Sequence, residues 1–130
     1  MNKTVLNWVK TSDYDIITAE AMLKSKRYVY VIFMCHLSAE KLLKAVVCKV
    51  TQKIPPKTHD LRLLLKLAGL NLPEKHQPLI AHLNEASIPT RYPEDMSKLI
   101  KDYNQSITKI YLKETKEFIK WLKLNQELAE

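Results

Sequence analysis

The longest apolar segment of the chain runs from Tyr28 to about Val50, YVYVIFMCHLSAEKLLKAVVCKV, and contains neither Gly nor Pro. Its hydrophobic residues occupy nearly every face of a helical wheel, which is typical of a helix surrounded by other helices. Four polar or charged residues lie in its middle, where charges are costly in a lipid bilayer: His36, Glu40, Lys41 and Lys44. The pattern therefore predicts the central helix of a helical bundle and disfavours a membrane span.

The polar residues of this helix are regularly spaced. His36, Glu40 and Lys44 lie four residues apart, so they form a slowly winding stripe along one side. Glu40 precedes Lys44 in the order that favours an ion pair. Two interpretations stay open: a helix face that reaches solvent or another subunit, or a polar site inside the bundle or at an interface.

Two other long helices are predicted. The first spans about Thr4 to Ser25, and the short link Ser25–Arg27 places it antiparallel to the central helix. The last spans about Gln105 to Asn125. The inner stripe of the first helix comprises Val5, Val9, Ser12, Ile16, Ala19 and Leu23. The apolar side of the last comprises Tyr103, Ile107, Ile110, Tyr111, Phe118 and Leu122.

Shorter elements fill the chain between them. Thr58 has the character of an N-cap for a short helix that includes His59 and ends at about Ala68, before the C-terminal cap Gly69. Two prolines within Ile88–Asp95 predict an irregular loop. Further helical segments are predicted at about 74–87 and, for a turn or two, at 96–103. Together these elements predict one all-α domain over residues 1–130, an up-and-down bundle of about five helices.

Composition narrows the range of partners. The chain has 21 Lys and Arg against 14 Asp and Glu, a net charge of +7, which favours anionic partners such as nucleic acid or nucleotides. Cys35 and Cys48 are too far apart along one helix to pair, so we expect reduced thiols in a cytoplasmic protein. The N-terminus lacks a signal-peptide apolar run. Neither a Gly-rich phosphate loop nor metal-ligand spacing is present, so no cofactor and no metal are expected.

A ridge of lysines is the clearest electrostatic feature of the sequence. Five lysines of the last helix fall within a sector of about 80° on its wheel. This lysine ridge consists of Lys109, Lys113, Lys116, Lys120 and Lys123. It is either a solubilising face or a track for a phosphate backbone, which adds salt-dependent affinity without sequence preference.

Two candidate site residues lie outside the long helices. His59 follows the N-cap Thr58, so it either serves capping and packing or meets a phosphate near exposed amides, together with Arg91 and Lys57. Arg91 and Tyr92 could stack on a base or hold a phosphate, or Arg91 could tie its loop down through an acidic residue such as Glu40, Glu94 or Asp95. The remaining histidines, His76 and His82, are interpreted as surface residues.

Several short segments together resemble one known family. They are Trp8 with the acidic Ser12–Asp15, Ser38–Ala45 (SAEKLLKA), Pro56–Leu61 (PKTHDL) and Thr90–Asp95 (TRYPED). Their order and spacing are similar to those of the HEPN family (higher eukaryote and prokaryote nucleotide-binding domain), over nearly the whole chain. The resemblance implies a compact helical bundle that forms a homodimer in the prokaryotic cytoplasm. It also implies a frequent partner, a minimal nucleotidyltransferase, in a toxin–antitoxin-like pair.

Many HEPN proteins are metal-independent ribonucleases that carry an Arg and a His separated by four to six residues. Arg91 matches that Arg, but the chain has no His after His82, and the corresponding positions hold Met96, Ser97 and Lys98. Such cleavage needs a group that titrates near neutral pH, as His does. The prediction is therefore a non-catalytic HEPN protein that binds a nucleotide, RNA or a partner. The alternative is a divergent ribonuclease that uses Arg91 with His59 or His36.

Overall fold

The computed structural model describes residues 1–128, which form six α-helices and no β-strand within that range. The all-α prediction is confirmed, with six helices where about five were expected. A single 3₁₀ turn, Glu74–His76, precedes the fourth helix. The helices are α1 (Lys3–Lys24), α2 (Tyr28–Thr51), α3 (Leu61–Ala68), α4 (Gln77–Arg91), α5 (Met96–Asp102) and α6 (Gln105–Asn125).

Helices α1 and α2 form the predicted hairpin and share the most extensive contact in the fold. At its centre two buried serines bond reciprocally across the helices. The Ser12 hydroxyl donates to the Ser38 carbonyl at 2.8 Å, and the Ser38 hydroxyl donates to the Ser12 carbonyl at 2.9 Å. Small side chains at both positions let the two backbones approach closely, and the exchange leaves neither hydroxyl unsatisfied.

Helix α2 is the centre of the bundle, as predicted. It contacts α1, α3, α4 and α6, and its middle is buried on all sides. Burial of a Leu or Ile side chain stabilises a fold by about 1.5–3 kcal/mol, so this helix carries much of the hydrophobic stabilisation. Its fully buried apolar residues include Val31, Ile32, Cys35, Ala39, Leu42, Leu43, Ala45 and Val46.

The start of α3 differs from the prediction. The N-cap is Asp60, whose carboxylate accepts hydrogen bonds from the N–H groups of Arg62 and Leu63. Thr58 instead accepts from the Asp60 N–H and shapes the preceding turn. His59 therefore lies in the connection before α3 and not in its first turn. The predicted C-terminal cap is confirmed, because Gly69 adopts the left-handed conformation there, with φ 66°.

Helix α4 continues through Pro89 to Arg91, where a loop from Ile88 onward was expected. Pro89 supplies no N–H, but only the last turn of the helix is affected. The buried Thr90 hydroxyl donates to the Ala86 carbonyl at 2.6 Å, and the Tyr92 N–H bonds to the Ile88 carbonyl. These bonds offset the loss and keep Arg91 on the helix.

Helix α6 has the predicted bounds, and its inner face differs in part from the prediction, because Phe118 and Leu122 are buried as expected but two isoleucines are not. Ile107 and Ile110 are 37% and 55% exposed, contrary to their assignment to the apolar side. Thr108 and Thr115 are fully buried instead, and the Thr115 hydroxyl is satisfied within the helix by the Tyr111 carbonyl. Thr is a small residue, so α6 is able to lie close to its neighbours along this face.

Candidate functional site

A buried carboxylate organises the candidate site. Glu40, in the middle of α2, is 1% exposed. Its Oε2 accepts a hydrogen bond from Lys44 Nζ at 3.1 Å. Its Oε1 lies 2.7 Å from His59 Nδ1 and 3.7 Å from Arg91 Nη2. A buried carboxylate is costly unless it is paired and hydrogen-bonded, so these partners from α2, the α2–α3 connection and α4 stabilise its charge.

His59 is held through one ring nitrogen only. Because Glu40 is an acceptor, Nδ1 carries the proton and donates it to the carboxylate. The side chain is 56% exposed, and Nε2 has no hydrogen-bond partner among residues 1–128. The hydrogen bond to Glu40 thus fixes the orientation of the ring, and Nε2 remains available to a ligand.

His36 lies beneath His59 and is fully buried. Its Nε2 donates to the His59 carbonyl at 2.9 Å, which holds the backbone of the connection. Burial lowers the pKa of His36 to about 4 against the opposing effect of Glu40, so the ring is neutral near pH 7. Its Nδ1, 3.9 Å from Glu40 Oε1, is buried without a hydrogen-bond partner. The stripe His36, Glu40, Lys44 therefore lies inside the fold and forms a polar site there.

Arg91 completes the cluster from the last position of α4. Its guanidinium lies over the Phe33 ring, with Cζ 4.9 Å from the ring centroid. Nη2 is 3.3 Å from His59 Nδ1, but that nitrogen uses its proton toward Glu40, so it does not accept a bond from Arg91. Nε is buried without a hydrogen-bond partner. Arg91 therefore uses only part of its donor capacity in contacts with the protein.

A clamp between α4 and the connection positions His59 against Arg91. Asn84, two turns before Arg91, accepts a hydrogen bond from the Leu61 N–H at 2.9 Å and donates to the Asp60 carboxylate at 3.2 Å. Neither Asn84 nor Phe33 was expected at the site. The role of Asp60 as an N-cap could have been predicted from the sequence, because Asp60 directly precedes the apolar run of α3 and Asp is a preferred N-cap residue.

The site opens into a surface depression of about 320 Å³, lined by His59, Asp60, Asn84, Ile88, Arg91 and Tyr92. Tyr92 is 73% exposed. Lys57 is exposed near the entrance to the connection and forms no ion pair within residues 1–128. Of the sequence candidates, the structure thus brings Glu40, Lys44, His59 and Arg91 into contact, with Tyr92 at the edge.

The lysine ridge is partly engaged with α1. Lys116 pairs with Glu20 at 2.8 Å, and Lys123 pairs with Asp13. Lys109, Lys113 and Lys120 are exposed and lack an ion pair within the described residues. The ridge is therefore divided into a paired and an unpaired group.

Of the other two histidines, His76 is buried, contrary to the expectation of a surface residue, and His82 is partly buried. His76 is 3% exposed and packs against the rings of Phe118 and Trp121. His82 stacks on Tyr111, with centroids 4.0 Å apart, and its Nε2 is 3.2 Å from the Tyr103 hydroxyl. Burial lowers the pKa of both rings. Both serve packing between α4, the turn before it and α6.

The family of this chain is shown by comparison with a family model. A family model described as the HEPN domain matches residues 5–126. The chain belongs to the HEPN family. No curated protein matches the sequence significantly.

Two solved structures resemble this HEPN protein in fold. One is the crystal structure of TT1696 from Thermus thermophilus, with a TM-score of 0.78, 21% identity, and coverage of 95% of this chain and 98% of the other. The second is ST0689, an archaeal HEPN homologue, with a TM-score of 0.74, 21% identity, and coverage of 96% and 98%. At this identity the likeness concerns the fold.

The described part of the HEPN chain shows neither a membrane span nor a metal site. None of the helices within residues 1–128 combines the length and apolar character that crossing a membrane requires. The same residues contain no group of three or more His, Cys, Asp or Glu placed to hold a metal ion.

Proposed function

We propose that this HEPN protein binds RNA or a nucleotide without cleaving it, through a phosphate held by His59 and Arg91. The observation that carries the proposal is the shared carboxylate: Glu40 fixes both side chains from beneath and leaves His59 Nε2 without a partner among the described residues. A positioned imidazole beside a guanidinium is a chemically suitable site for a phosphate, because Arg binds phosphate oxygens in a planar fork.

The charge balance of the site also supports an anion. The formal charges of Lys44 and Arg91 balance those of Glu40 and of Asp60, which lines the same depression, so the cluster carries no net negative charge even with both histidines neutral. Lys57, two residues before His59 in the sequence, adds an exposed cation to the same connection, and the chain as a whole carries +7. Such a field attracts phosphate groups and makes binding depend on salt.

A second candidate function is metal-independent ribonuclease activity, favoured by the hydrogen bond between His59 and Glu40. A carboxylate that fixes Nδ1–H orients Nε2 as a base, which could take the proton of a ribose 2′-OH while Arg91 stabilises charge on the phosphate. Cleavage also needs a proton on the leaving 5′-oxygen. Of the two histidines in this cluster, His36 is buried and neutral, which leaves His59 to serve as both base and acid. This shortage of acid–base groups favours the binding function.

The proposal extends to partners and location. HEPN resemblance supports a homodimer and a companion minimal nucleotidyltransferase in a toxin–antitoxin-like pair in the cytoplasm. Exposed apolar side chains on α1, Tyr14 at 75% and Ile17 at 64%, offer a surface for such a contact. Sedimentation of the protein alone, and mixed with the product of a neighbouring nucleotidyltransferase gene, tests both associations.

The decisive experiment measures anisotropy of labelled single-stranded RNA and of labelled ATP at about 50 and 200 mM salt. Wild type is compared with His59→Gln, Arg91→Lys and the control Arg62→Ala, an exposed cation on α3. Affinity should fall in the first two variants and with salt, and remain near wild type in the control. Absence of binding at both salt concentrations would overturn the proposal.

A gel assay of the same RNA in EDTA separates the two functions. Intact RNA over the time of the binding measurement supports the non-catalytic site. Metal-independent cleavage that is lost in His59→Gln would replace it with the ribonuclease function.

The lysine ridge is tested by splitting it along its observed pairs. Lys109, Lys113 and Lys120 are changed to Gln in one variant, and Lys116 and Lys123 in another. If the unpaired group follows a single-stranded phosphate backbone, the slope of log affinity against log salt falls by about 2 in the first variant only. If both variants keep the slope of the wild-type protein, the lysine ridge serves solubility and not RNA binding.

A further inference from the structure

We propose that the depression on the far side of Arg91 from His59 is a subsite for one unpaired nucleobase. The inference rests on the proposed function, because the base belongs to a nucleotide whose phosphate lies at His59 and Arg91. It adds a substrate class: single strands with exposed bases, in preference to duplexes or to phosphate chains alone.

The two depressions share a wall. The second one, also about 320 Å³, is lined by Val29, Tyr30, Phe33, Arg91, Tyr92 and Met96. Arg91 and Tyr92 line both depressions. A ligand that spans them places one part against the imidazole and another against the aromatic side chains, as the phosphate and base of one nucleotide do.

Aromatic side chains provide much of the lining of the second depression. Tyr92 is 73% exposed and Tyr30 46% exposed, from the end of α4 and the first turn of α2. Phe33 is partly buried and already holds one face of the Arg91 guanidinium. Bases stack on Tyr rings and on guanidinium planes, and every base offers such a face, so the subsite needs no sequence-specific donor.

Nearby carboxylates set the orientation of the ligand. A third depression, on another side of Tyr92, is lined by Glu94, Asp95 and Asp102, together with the cation Lys98. These three acids repel phosphate, whereas the depression on the His59 side is lined by a single carboxylate, Asp60, beside the donor groups of His59 and Arg91. The backbone therefore runs on the His59 side of Tyr92, and the neutral base occupies the aromatic side.

A base within a duplex keeps both faces stacked on its neighbours and its edge paired. Entering the subsite requires that the base leave the stack, which costs a few kcal/mol in a duplex and much less in a single strand. The geometry therefore predicts discrimination by base accessibility, which phosphate contacts alone do not provide.

The test uses three probes of equal length: single-stranded RNA, a strand of the same charge whose residues are abasic, and the duplex, whose two strands are compared at the same phosphate concentration. Wild type is compared with Tyr92→Leu, Tyr30→Leu and the control Tyr14→Leu, an equally exposed tyrosine of α1. Single-stranded RNA should bind about 5- to 150-fold tighter than the abasic strand. Tyr30→Leu should reduce that ratio toward one and leave abasic binding unchanged, because Tyr30 lines the second depression and not the first. Tyr92→Leu should also reduce the ratio, while Tyr14→Leu should retain it.

The outcomes distinguish the subsite from the phosphate site beneath it. Equal binding of base-bearing and abasic strands, with both weakened by Arg91→Lys, would overturn the subsite and retain the proposed function. Failure of every probe to bind would overturn both. A change in sedimentation of Tyr92→Leu or Tyr30→Leu, without a change in the ratio, would assign the aromatic face to a contact between copies and reject the base.

Discussion

His59 Nδ1 donates a 2.7 Å hydrogen bond to Glu40 Oε1, and the two residues lie on different elements, one exposed and one buried. The bond joins the interior of α2 to the surface connection before α3. The same carboxylate therefore contributes to the stability of the fold and to the proposed phosphate site, and substitutions of Glu40 should affect both.

Glu40→Gln should destabilise the fold. The change leaves the buried Lys44 and the largely buried Arg91 without their carboxylate, and breaking a buried ion pair typically costs about 3–5 kcal/mol. Urea unfolding provides the free energy. The control is Glu20→Gln, which breaks the exposed pair with Lys116 and should cost at most about 1 kcal/mol. Similar losses in the two variants would show that the Glu40 cluster contributes little to folding.

Stability should decline as pH falls from about 6.5 to about 4, in part through His36. Burial holds the pKa of this ring near 4, below its ordinary value of 6.5. Between these two pH values His36 is protonated in the unfolded chain and neutral in the folded chain. The stabilising contribution is complete above pH 6.5 and is lost toward pH 4. Between about pH 7.5 and 5 the loss amounts to about 2 kcal/mol.

The contribution of His36 is isolated by comparing wild type with His36→Gln at both pH values, because His76 and His82 also have lowered pKa values and add to the loss. The variant should be less stable at pH 7.5 and lose less on acidification. If both proteins lose the same free energy, another group causes the acid sensitivity.

The reciprocal serine bonds between α1 and α2 should show coupling. Ser12→Ala and Ser38→Ala each leave a buried carbonyl without its hydroxyl donor, at about 1–3 kcal/mol. The effects of the two changes on the free energy of unfolding should be non-additive, because both changes act on the same pair of hydrogen bonds. Ser38→Leu should cost more, since the larger side chain separates the helices. Thr18→Ala, which removes an exposed hydroxyl bonded to the Tyr14 carbonyl, is the control for helix propensity. Additive serine effects would contradict the exchange.

The Cys35 thiol should be unreactive in the folded protein. It is fully buried, and burial raises the pKa of this thiol to about 12, so very little thiolate is present near neutral pH. In a Cys48→Ser background, iodoacetamide should label Cys35 only on addition of urea. Rapid labelling of the native variant would indicate frequent opening of α2 from its neighbours.

The long helices follow from the sequence because their signals are local. Apolar periodicity located α1, α2 and α6 within one or two residues, since a buried stripe recurs every three to four positions. The predicted loop from Ile88 onward was wrong, because Pro89 does not end α4. The helix continues to Arg91 with the help of the Thr90 side-chain hydroxyl and the contact between Arg91 and Glu40, which the local sequence does not reveal.

The candidate site was predicted in composition and only partly in arrangement. The four-residue spacing of His36, Glu40 and Lys44 indicated a shared face, but burial of that face depends on which helices cover it. Which histidine meets Glu40 depends on the path of residues 52–60, and that path is fixed by the bonds of Asn84 and His36 to this segment. His76 was placed at the surface because the sequence of a short 3₁₀ turn contains no sign of the rings that pack over it.

Arg91 reaches Glu40 from a position more than fifty residues later in the chain, which has a consequence during synthesis on the ribosome. A growing polypeptide contains the carboxylate and both of its neighbouring histidines before the guanidinium has been made. Until α4 emerges and docks, α2 carries a poorly compensated charge on a side that will later be covered, and the proposed phosphate site lacks its guanidinium. Premature truncation before Arg91 is therefore expected to yield a fragment that is readily cleaved by proteases and lacks part of the proposed phosphate site.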